Sequence, residues 1–315
     1  MIKAKPFIKW VGGKSQLLEQ LDAQLPVDFA DWKDATYIEP FVGGGAMLFY
    51  MLQHYQNINH VVINDINTNL TICYSIIRNN PAQLILSLME IEKVYLGLSS
   101  EEERRQFYLK IRDKYNNDKI DALEITTMFI FLNRTCFNGL YRVNKSGAFN
   151  VPFGRYENPI ICNPDLIRKD SETLQKVEIL NGDFENTFTY ASNRTLFYFD
   201  PPYRPLSNTS NFNDYTKDSF NDTAQVRLKE YCDKVHSHGF HFMLSNSDGR
   251  NQNETEDFFD RLYSNYHIER VWASRSINSN PNKRGKLTEI LVRNYEKTKK
   301  NSYVEFFKLE PYTTY

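Results

Sequence analysis

Short apolar runs that end in a polar residue recur along the chain, and helical patterns separate several of them. The strand-like runs span residues 37–39, 61–65, 177–180, 195–200 and 240–244, and the helical patterns span 15–21, 46–53 and 221–235. Strands that alternate with helices are typical of a mostly parallel sheet with helices on both faces. We therefore predict a doubly wound α/β fold. Functional residues in such sheets gather at the carboxyl ends of the strands, which here carry Glu39, Asp65, Asp183, Asp200 and Asn246.

The stretch from about residue 71 to 174 has a different pattern. It begins with four helical segments, at 71–79, 82–95, 101–116 and 121–133. Residues 137–155 are then rich in Asn, Gly and aromatic residues, as in a hairpin or loop. We interpret 71–174 as an insertion into an α/β core made of residues 1–70 and 175–315. Residues 297–301 read as a linker to a short aromatic tail, 302–315.

Composition narrows the class of protein. The 315 residues carry a formal net charge of -1, so any nucleic-acid surface must come from local clusters of basic residues. The four cysteines lie far apart without a CxxC or Cys/His pattern, and we expect reduced thiols and no metal site. The N-terminus does not resemble a signal peptide, and no stretch approaches the ~18 apolar residues of a membrane span. We expect a soluble, cytoplasmic protein without membrane association.

A glycine-rich segment, residues 39–46 (EPFVGGGA), joins a predicted strand to a predicted helix. Glycines there allow close approach of a ligand and leave helix N–H groups free for it, although a tight turn without a ligand has the same pattern. Asp65 ends the next strand, where an acidic residue typically accepts hydrogen bonds from ribose hydroxyls. Together they predict a nucleoside-containing cofactor. Leu48 breaks the GxGxxG dinucleotide pattern, and Ile8 stands where a P-loop would need a glycine.

The tetrapeptide Asp200-Pro201-Pro202-Tyr203 ends an apolar strand and suits methylation of an amino group. The N6 lone pair of adenine is delocalised and weakly nucleophilic, so acceptors for its two protons favour a pyramidal nitrogen. Asp200 can offer a carboxylate oxygen, and Pro201 a carbonyl held by the restricted Pro-Pro chain. Tyr203 can stack on the base, a contact of about 1–3 kcal/mol. Positioning of the reactants can supply about 7–11 kcal/mol. A rigid turn after a strand is the alternative.

From residue 5 to about 295 the chain resembles the Dam-type, alpha-group family of DNA adenine-N6 methyltransferases. Residues 200–203 match the family's catalytic motif, with the aspartate of adenine rather than N4-cytosine enzymes. Its other motifs are matched by 7–14 (FIKWVGGK), 39–45, 64–65, 182–184 and 244–248.

The resemblance implies a Rossmann-like, class I methyltransferase fold with an inserted, mainly helical DNA-recognition domain. It implies S-adenosyl-L-methionine as cofactor and double-stranded DNA as substrate. The catalytic residues would be Asp200, Pro201, Pro202 and Tyr203. The cofactor contacts would be Trp10, Gly12, Lys14, Glu39, Phe41, Gly43, Gly45, Asp65, Asp183, Phe184 and Asp200. Lys14 would also lie near the extruded base.

Two basic stretches without acidic residues, 131–156 and 270–288, suit contacts to phosphates and base edges. Residues 133–144 resemble the recognition segment of family members that read GATC, and the arginine matching Arg142 contacts guanine in those relatives, as arginine can through O6 and N7. We expect GATC or another GAT-containing site. The expected DNA contacts are Lys14, Arg134, Asn138, Leu140, Arg142, Asn144, Lys145, Arg155, Arg275, Lys283 and Arg284.

The target nitrogen lies inside the duplex, so the adenine must be flipped out. Residues 204–220, which are polar and include Phe212, Tyr215 and Phe220, are predicted to close over it. Methylation of adenine N6 in RNA, methylation of a protein glutamine, and a non-catalytic DNA-binding module are the competing functions. The family is usually monomeric, and a role beside a cognate restriction endonuclease, in solitary regulation or in a phage is compatible with the sequence.

Overall fold

A computed structural model describes residues 2–204, 220–251, 253–274 and 286–297. Its centre is a seven-stranded sheet in the order β3-β2-β1-β4-β5-β7-β6. The first five strands pair in parallel, and β7 pairs antiparallel with both β5 and β6. The strands are β1 Ala35–Glu39, β2 Ile58–Asp65, β3 Val177–Asn181, β4 Thr195–Phe199, β5 His241–Ser247, β6 His267–Ser274 and β7 Lys286–Arg293. The predicted mostly parallel α/β sheet is confirmed.

Nine helices accompany the sheet in the described ranges. They are α1 Leu18–Asp22, α2 Ala46–His54, α3 Thr68–Asn79, α4 Pro81–Leu96, α5 Glu101–Asn117, α6 Ala122–Thr135, α7 Pro164–Leu174, α8 Asp222–Ser237 and α9 Phe258–Leu262. The helix predicted over 15–21 was partly wrong, because the chain makes a turn from Lys14 to Leu17 before α1 begins. The pair β6 and β7 and the helices α7 and α9 were not predicted.

The core has two parts, one on each face of the sheet. Successive residues of a strand point to opposite faces, so Tyr37 of β1 and Tyr198 of β4 belong to one part, and Ile38 and Phe197 to the other. Every residue of β1 and β4 is buried. These inner strands are therefore covered on both faces, as parallel strands usually are. None of the described helices is long and apolar enough to cross a membrane.

Helices α3 to α7 all lie in the connection from β2 to β3. Capping boxes begin α5, at Ser100 and Glu103, and α6, at Asp121 and Glu124. The predicted hairpin follows α6, with an antiparallel bridge between Val143 and Phe149.

Candidate active site

The carboxyl ends of β1, β2 and β4 meet at one edge of the sheet, and the glycine-rich turn lies there. Gly43 and Gly45 have φ angles of 48° and 74°, which favour glycine, and Gly45 precedes the first residue of α2. Gly43 N donates to Asp65 Oδ2 at 3.0 Å. The Tyr74 hydroxyl donates to Gly43 O at 3.0 Å. The turn is thereby fixed from β2 and from α3, and burial raises the pKa of Asp65.

Trp10 covers the same turn from the N-terminal segment. A Cβ atom added to Gly43 would lie 2.8 Å from two atoms of the Trp10 ring. On its other side Trp10 stacks on Tyr141, with ring centroids 5.2 Å apart, and Tyr141 stacks on Phe129 of α6 at the same distance. Trp10 thus joins the glycine turn to the hairpin.

An aromatic group lies beyond β1. The Phe41 ring packs against Phe184, at a centroid distance of 5.2 Å, and against Phe220, at 5.6 Å. The Arg227 guanidinium lies over Phe184, 4.3 Å from its centroid, and forms an ion pair with Asp183. Phe184 is buried below Phe41, so Phe41 is the more accessible of the two rings.

The side chains of Lys14, Asp200, Tyr203 and Glu289 form a buried polar cluster beside β4. Lys14 is only 2% exposed, and its Nζ lies 2.8 Å from Asp200 Oδ1 and 3.0 Å from Glu289 Oε2. It also donates to the Tyr203 hydroxyl, which in turn donates to Glu289 Oε1 at 2.8 Å. Gly12, with a φ angle of 78°, lies next to the Tyr203 ring. The sequence analysis did not include Glu289.

Burial disfavours the charged forms of Asp200, of Lys14 and of Glu39. It raises the pKa of Asp200 to about 6, although the neighbouring Lys14 ammonium acts in the opposite direction. Burial alone would lower the pKa of Lys14, but the charge of Asp200 and of its other neighbours raises it above its ordinary value. We therefore assign an ionised pair at neutral pH. Glu39, which accepts a hydrogen bond from Tyr37, has its pKa raised by burial to about 8 and is mainly neutral there.

A chain of buried amides fixes the Pro-Pro turn from the other side. Gln225 of α8 donates from Nε2 to Pro202 O at 3.3 Å. Its Oε1 accepts from Asn246 Nδ2 of β5, also at 3.3 Å. Gln225 and Asn246 are fully buried, so these bonds satisfy side-chain amides that water does not reach. Pro201 is also buried, between this chain and Asp200.

The structure separates the predicted DNA contacts into two kinds. Asn138, Lys145 and Arg155 are exposed, and Leu140 is partly buried. Arg134 is engaged inside the protein, because it donates to Phe7 O at 2.6 Å and burial lowers its pKa.

Arg142 is a partly buried residue whose side chain is oriented by bonds within the hairpin. Its Nε donates to Asn150 Oδ1 at 2.8 Å, and one terminal nitrogen donates to Asn150 O at 3.3 Å. Asn144 closes the hairpin, since its Oδ1 accepts from Ser146 N and Ala148 N, both at 3.0 Å. The hairpin therefore holds Arg142 in a defined direction.

Arg270, at the start of the second basic stretch, is ion-paired within the fold. Its guanidinium pairs with Asp248 and Asp260, each at 2.8 Å, which lie elsewhere in the sequence. Arg275, Lys283 and Arg284 lie outside the described residues, as do 205–219 of the predicted closing loop and the tail beyond 297. At the ends of that loop, Arg204 pairs with Asp222 and Glu256, and Phe220 packs against Phe41.

The sequence also matches known proteins. Residues 10–277 match the model of the D12 class of N6 adenine-specific DNA methyltransferases. A type II methyltransferase, M.MjaIII, from Methanocaldococcus jannaschii is 46% identical over 297 residues, which are 93% of this chain and 100% of that protein. The type II methyltransferase M1.LlaDCHI from Lactococcus lactis subsp. cremoris is 37% identical, over 93% of this chain and 96% of its own. A DNA adenine methylase from Vibrio cholerae is 32% identical, with the same coverage.

Proposed function

Because the chain belongs to the D12 class of N6 adenine-specific DNA methyltransferases, we propose that it moves a methyl group from S-adenosyl-L-methionine to an adenine flipped out of duplex DNA. We propose GATC or another GAT-containing sequence as its site. The observation that carries the proposal is the position of Asp200-Pro201-Pro202-Tyr203, directly after β4 and beside the glycine-rich turn.

The residues at the sheet edge fit the cofactor by their chemistry. S-adenosyl-L-methionine supplies an electrophilic methyl group on a cationic sulfur. Asp65 uses each carboxylate oxygen once, for Gly43 N and Asn67 N, and each oxygen has lone pairs left for hydroxyl donors. The Phe41 ring offers an apolar face for a nucleoside base. Trp10, Gly12, Gly45, Glu39 and Asp183 would complete the site, with Phe184 as support for Phe41.

Asp200 and Pro201 would hold the adenine amino group. Lys14 and Ser245 both contact Asp200 Oδ1, which leaves Oδ2 for a substrate N–H within the described structure. A carboxylate whose pKa is about 6 is ionised at neutral pH and accepts well. The Pro201 carbonyl would take the second proton, and Tyr203 would stack on the base. Such positioning favours the geometry in which the nitrogen lone pair can attack.

We assign recognition of the DNA sequence to the hairpin. Arg142, held by Asn150, would contact the guanine before the target adenine, and the exposed Asn138, Lys145 and Arg155 would contact the DNA around it. Leu140 and Asn144 support the shape of this surface. Arg275, Lys283 and Arg284 remain proposed contacts from the second basic stretch. The names of the type II relatives favour a role beside a restriction endonuclease.

The test is methyl transfer to matched substrates followed by sequencing that detects modified bases. The wild-type protein with S-adenosyl-L-methionine should produce N6-methyladenine in duplex GATC sites, and far less in RNA or in duplexes whose guanine is replaced. Arg142→Ala should lower the preference for that guanine by about 1–3 kcal/mol, or about 5- to 150-fold. Lys145→Ala, on the same hairpin, should weaken binding to all sequences alike. An Arg142→Ala protein with unchanged preference would disprove the assignment.

A further inference from the structure

Glu289 is an acidic residue of β7 that directly precedes the apolar residues 290–292. It lies opposite Ser247 of β5 and Val271 of β6, and its side chain is only 14% exposed. Burial of a carboxylate is costly unless charged or polar groups contact it. Here Oε2 lies 3.0 Å from Lys14 Nζ, and Oε1 accepts from the Tyr203 hydroxyl at 2.8 Å. The carboxylate thus binds two of the proposed active-site residues at once.

The Lys14 ammonium donates a hydrogen bond to the Tyr203 hydroxyl and forms ion pairs with Asp200 and Glu289. Two carboxylates therefore share one buried cation. If Asp200 alone paired with Lys14, the cation would neutralise it and weaken it as an acceptor for a substrate amino group. The negative charge of Glu289 repels that of Asp200 and offsets part of the ammonium's effect, which keeps Asp200 a stronger acceptor.

We propose that Glu289 is a positioning residue for methyl transfer. It holds the Lys14 ammonium and the Tyr203 hydroxyl in place, so that the Asp200 carboxylate keeps its strength as an acceptor for the adenine amino group. This inference rests on the proposed function, because it requires that Asp200 binds that group. Other titratable groups also face Asp200: Tyr198 from β4, and Tyr37 and Glu39 from β1.

The inference predicts a pH effect that loss of structure alone would not produce. Because Asp200 must be ionised, the wild-type rate should fall as the pH drops through about 6. Glu289→Gln keeps the shape of the side chain and one acceptor oxygen for the Tyr203 hydroxyl, but it removes the negative charge and the second acceptor oxygen. Asp200 should then ionise at lower pH, so the acidic limb of the profile should move to lower pH. The plateau rate should fall about 10- to 100-fold, since the acceptor is weaker and Tyr203 is less fixed.

The experiment measures single-turnover methylation of a duplex substrate from pH 5 to 8. Glu289→Asp, which keeps the charge with a shorter reach, should restore the wild-type limb and lose only part of the plateau rate. Glu178→Gln removes an exposed carboxylate from β3 and is the matched control. Melting temperature and cofactor binding by calorimetry are measured for each variant, and both should remain near wild type.

The inference would be overturned if Glu289→Gln had the same plateau rate, and the same acidic limb of the pH profile, as the Glu178→Gln control. If that variant does not fold, Glu289→Asp decides, because a plateau equal to the control would show that the contacts of Glu289 do not matter. Asp200→Ala is measured in parallel. Wild-type rates in Asp200→Ala would refute the proposed catalytic site, and with it this inference. An inactive Asp200→Ala together with a normal Glu289→Gln would refute only the role of Glu289.

Discussion

Asn133 forms hydrogen bonds to the backbone N–H and C=O of Lys9 through the oxygen and the nitrogen of its side-chain amide. Its Oδ1 accepts from Lys9 N and its Nδ2 donates to Lys9 O, both at 2.9 Å, and Nδ2 also donates to Gly139 O at 3.0 Å. Because Asn133 is buried, water cannot replace these bonds. One residue of α6 thus fixes both the N-terminal segment and the start of the hairpin.

We expect Asn133→Ala to lower the free energy of unfolding by about 1–3 kcal/mol, because the buried Gly139 carbonyl and the backbone of Lys9 lose their partner. Urea unfolding would measure the change. Lys145→Ala, an exposed change on the hairpin, is the control. The exposed Asn138 is less suitable, because its φ is positive and its replacement would itself add strain. An Asn133→Ala protein as stable as that control would contradict the bracing role.

Gly43→Ala should reduce stability and cofactor binding more than the same substitution at a glycine with open space around it. The new Cβ would meet the Trp10 ring at 2.8 Å, in addition to the strain of a positive φ. Gly239→Ala is the matched control, since Gly239 also has a positive φ, of 77°, but has open space around it. The control should lose about 1–2 kcal/mol of stability, and Gly43→Ala should lose more and bind cofactor at least tenfold more weakly. Equal losses in urea unfolding and unchanged calorimetric binding would argue against the close packing of Trp10 on the turn.

Gln225→Leu should separate catalysis from binding. The leucine fills similar space but cannot donate to Pro202 O or accept from Asn246, so the Pro-Pro turn loses its anchor. We expect kcat to fall about 10- to 100-fold while the affinity for cofactor stays near wild type. Gln106→Leu, an exposed change on α5, controls for the loss of an amide. A wild-type kcat in the folded Gln225→Leu protein would rule out a role for this anchor.

Asp170 should make the protein less stable as the pH rises. Burial raises its pKa from 3.8 to about 8, so between these values the folded chain retains a proton that the unfolded chain releases. The free energy of unfolding should therefore decline with increasing pH across that window. Asp170→Asn keeps an oxygen acceptor for Lys5 N and cannot titrate, which should reduce the slope by up to about 1.4 kcal/mol per pH unit.

The measurement is urea unfolding at several pH values from 5 to 8. Asp165→Asn, an exposed change in the first turn of the same helix α7, should leave the slope nearly unchanged. Identical slopes for wild type and Asp170→Asn would mean that Asp170 is ionised in the folded protein.

The sequence predicted the site best where neighbouring residues carry the information. The glycine turn, Asp65 and Asp200 each follow an apolar strand, and parallel strands bring their carboxyl ends to one edge. Glu289 was missed because its partners Lys14 and Tyr203 are distant in sequence. Its signal in the sequence was an acidic residue directly before the apolar run 290–292, which a search for charges beside strand-like runs could have found.

Long-range pairing also sets the surroundings of Arg270, which the sequence did not reveal. A count of charges within 270–288 finds no acid, but the fold brings Asp248 and Asp260 to the guanidinium. Helix bounds were predicted closely where capping residues mark them, as at Ser100 and Asp121. The bounds of α1 were not, because its first residues have no side-chain cap.

The stack of Trp10, Tyr141 and Phe129 has a consequence for engineering. Tyr141 belongs to the hairpin and Trp10 covers the glycine turn, so a graft that replaces the hairpin also removes one wall of the turn. If the hairpin is exchanged to change the DNA sequence that is recognised, the new hairpin therefore needs an aromatic residue at the position of Tyr141. Point changes at the tip, where the side chains face outward, leave that wall in place.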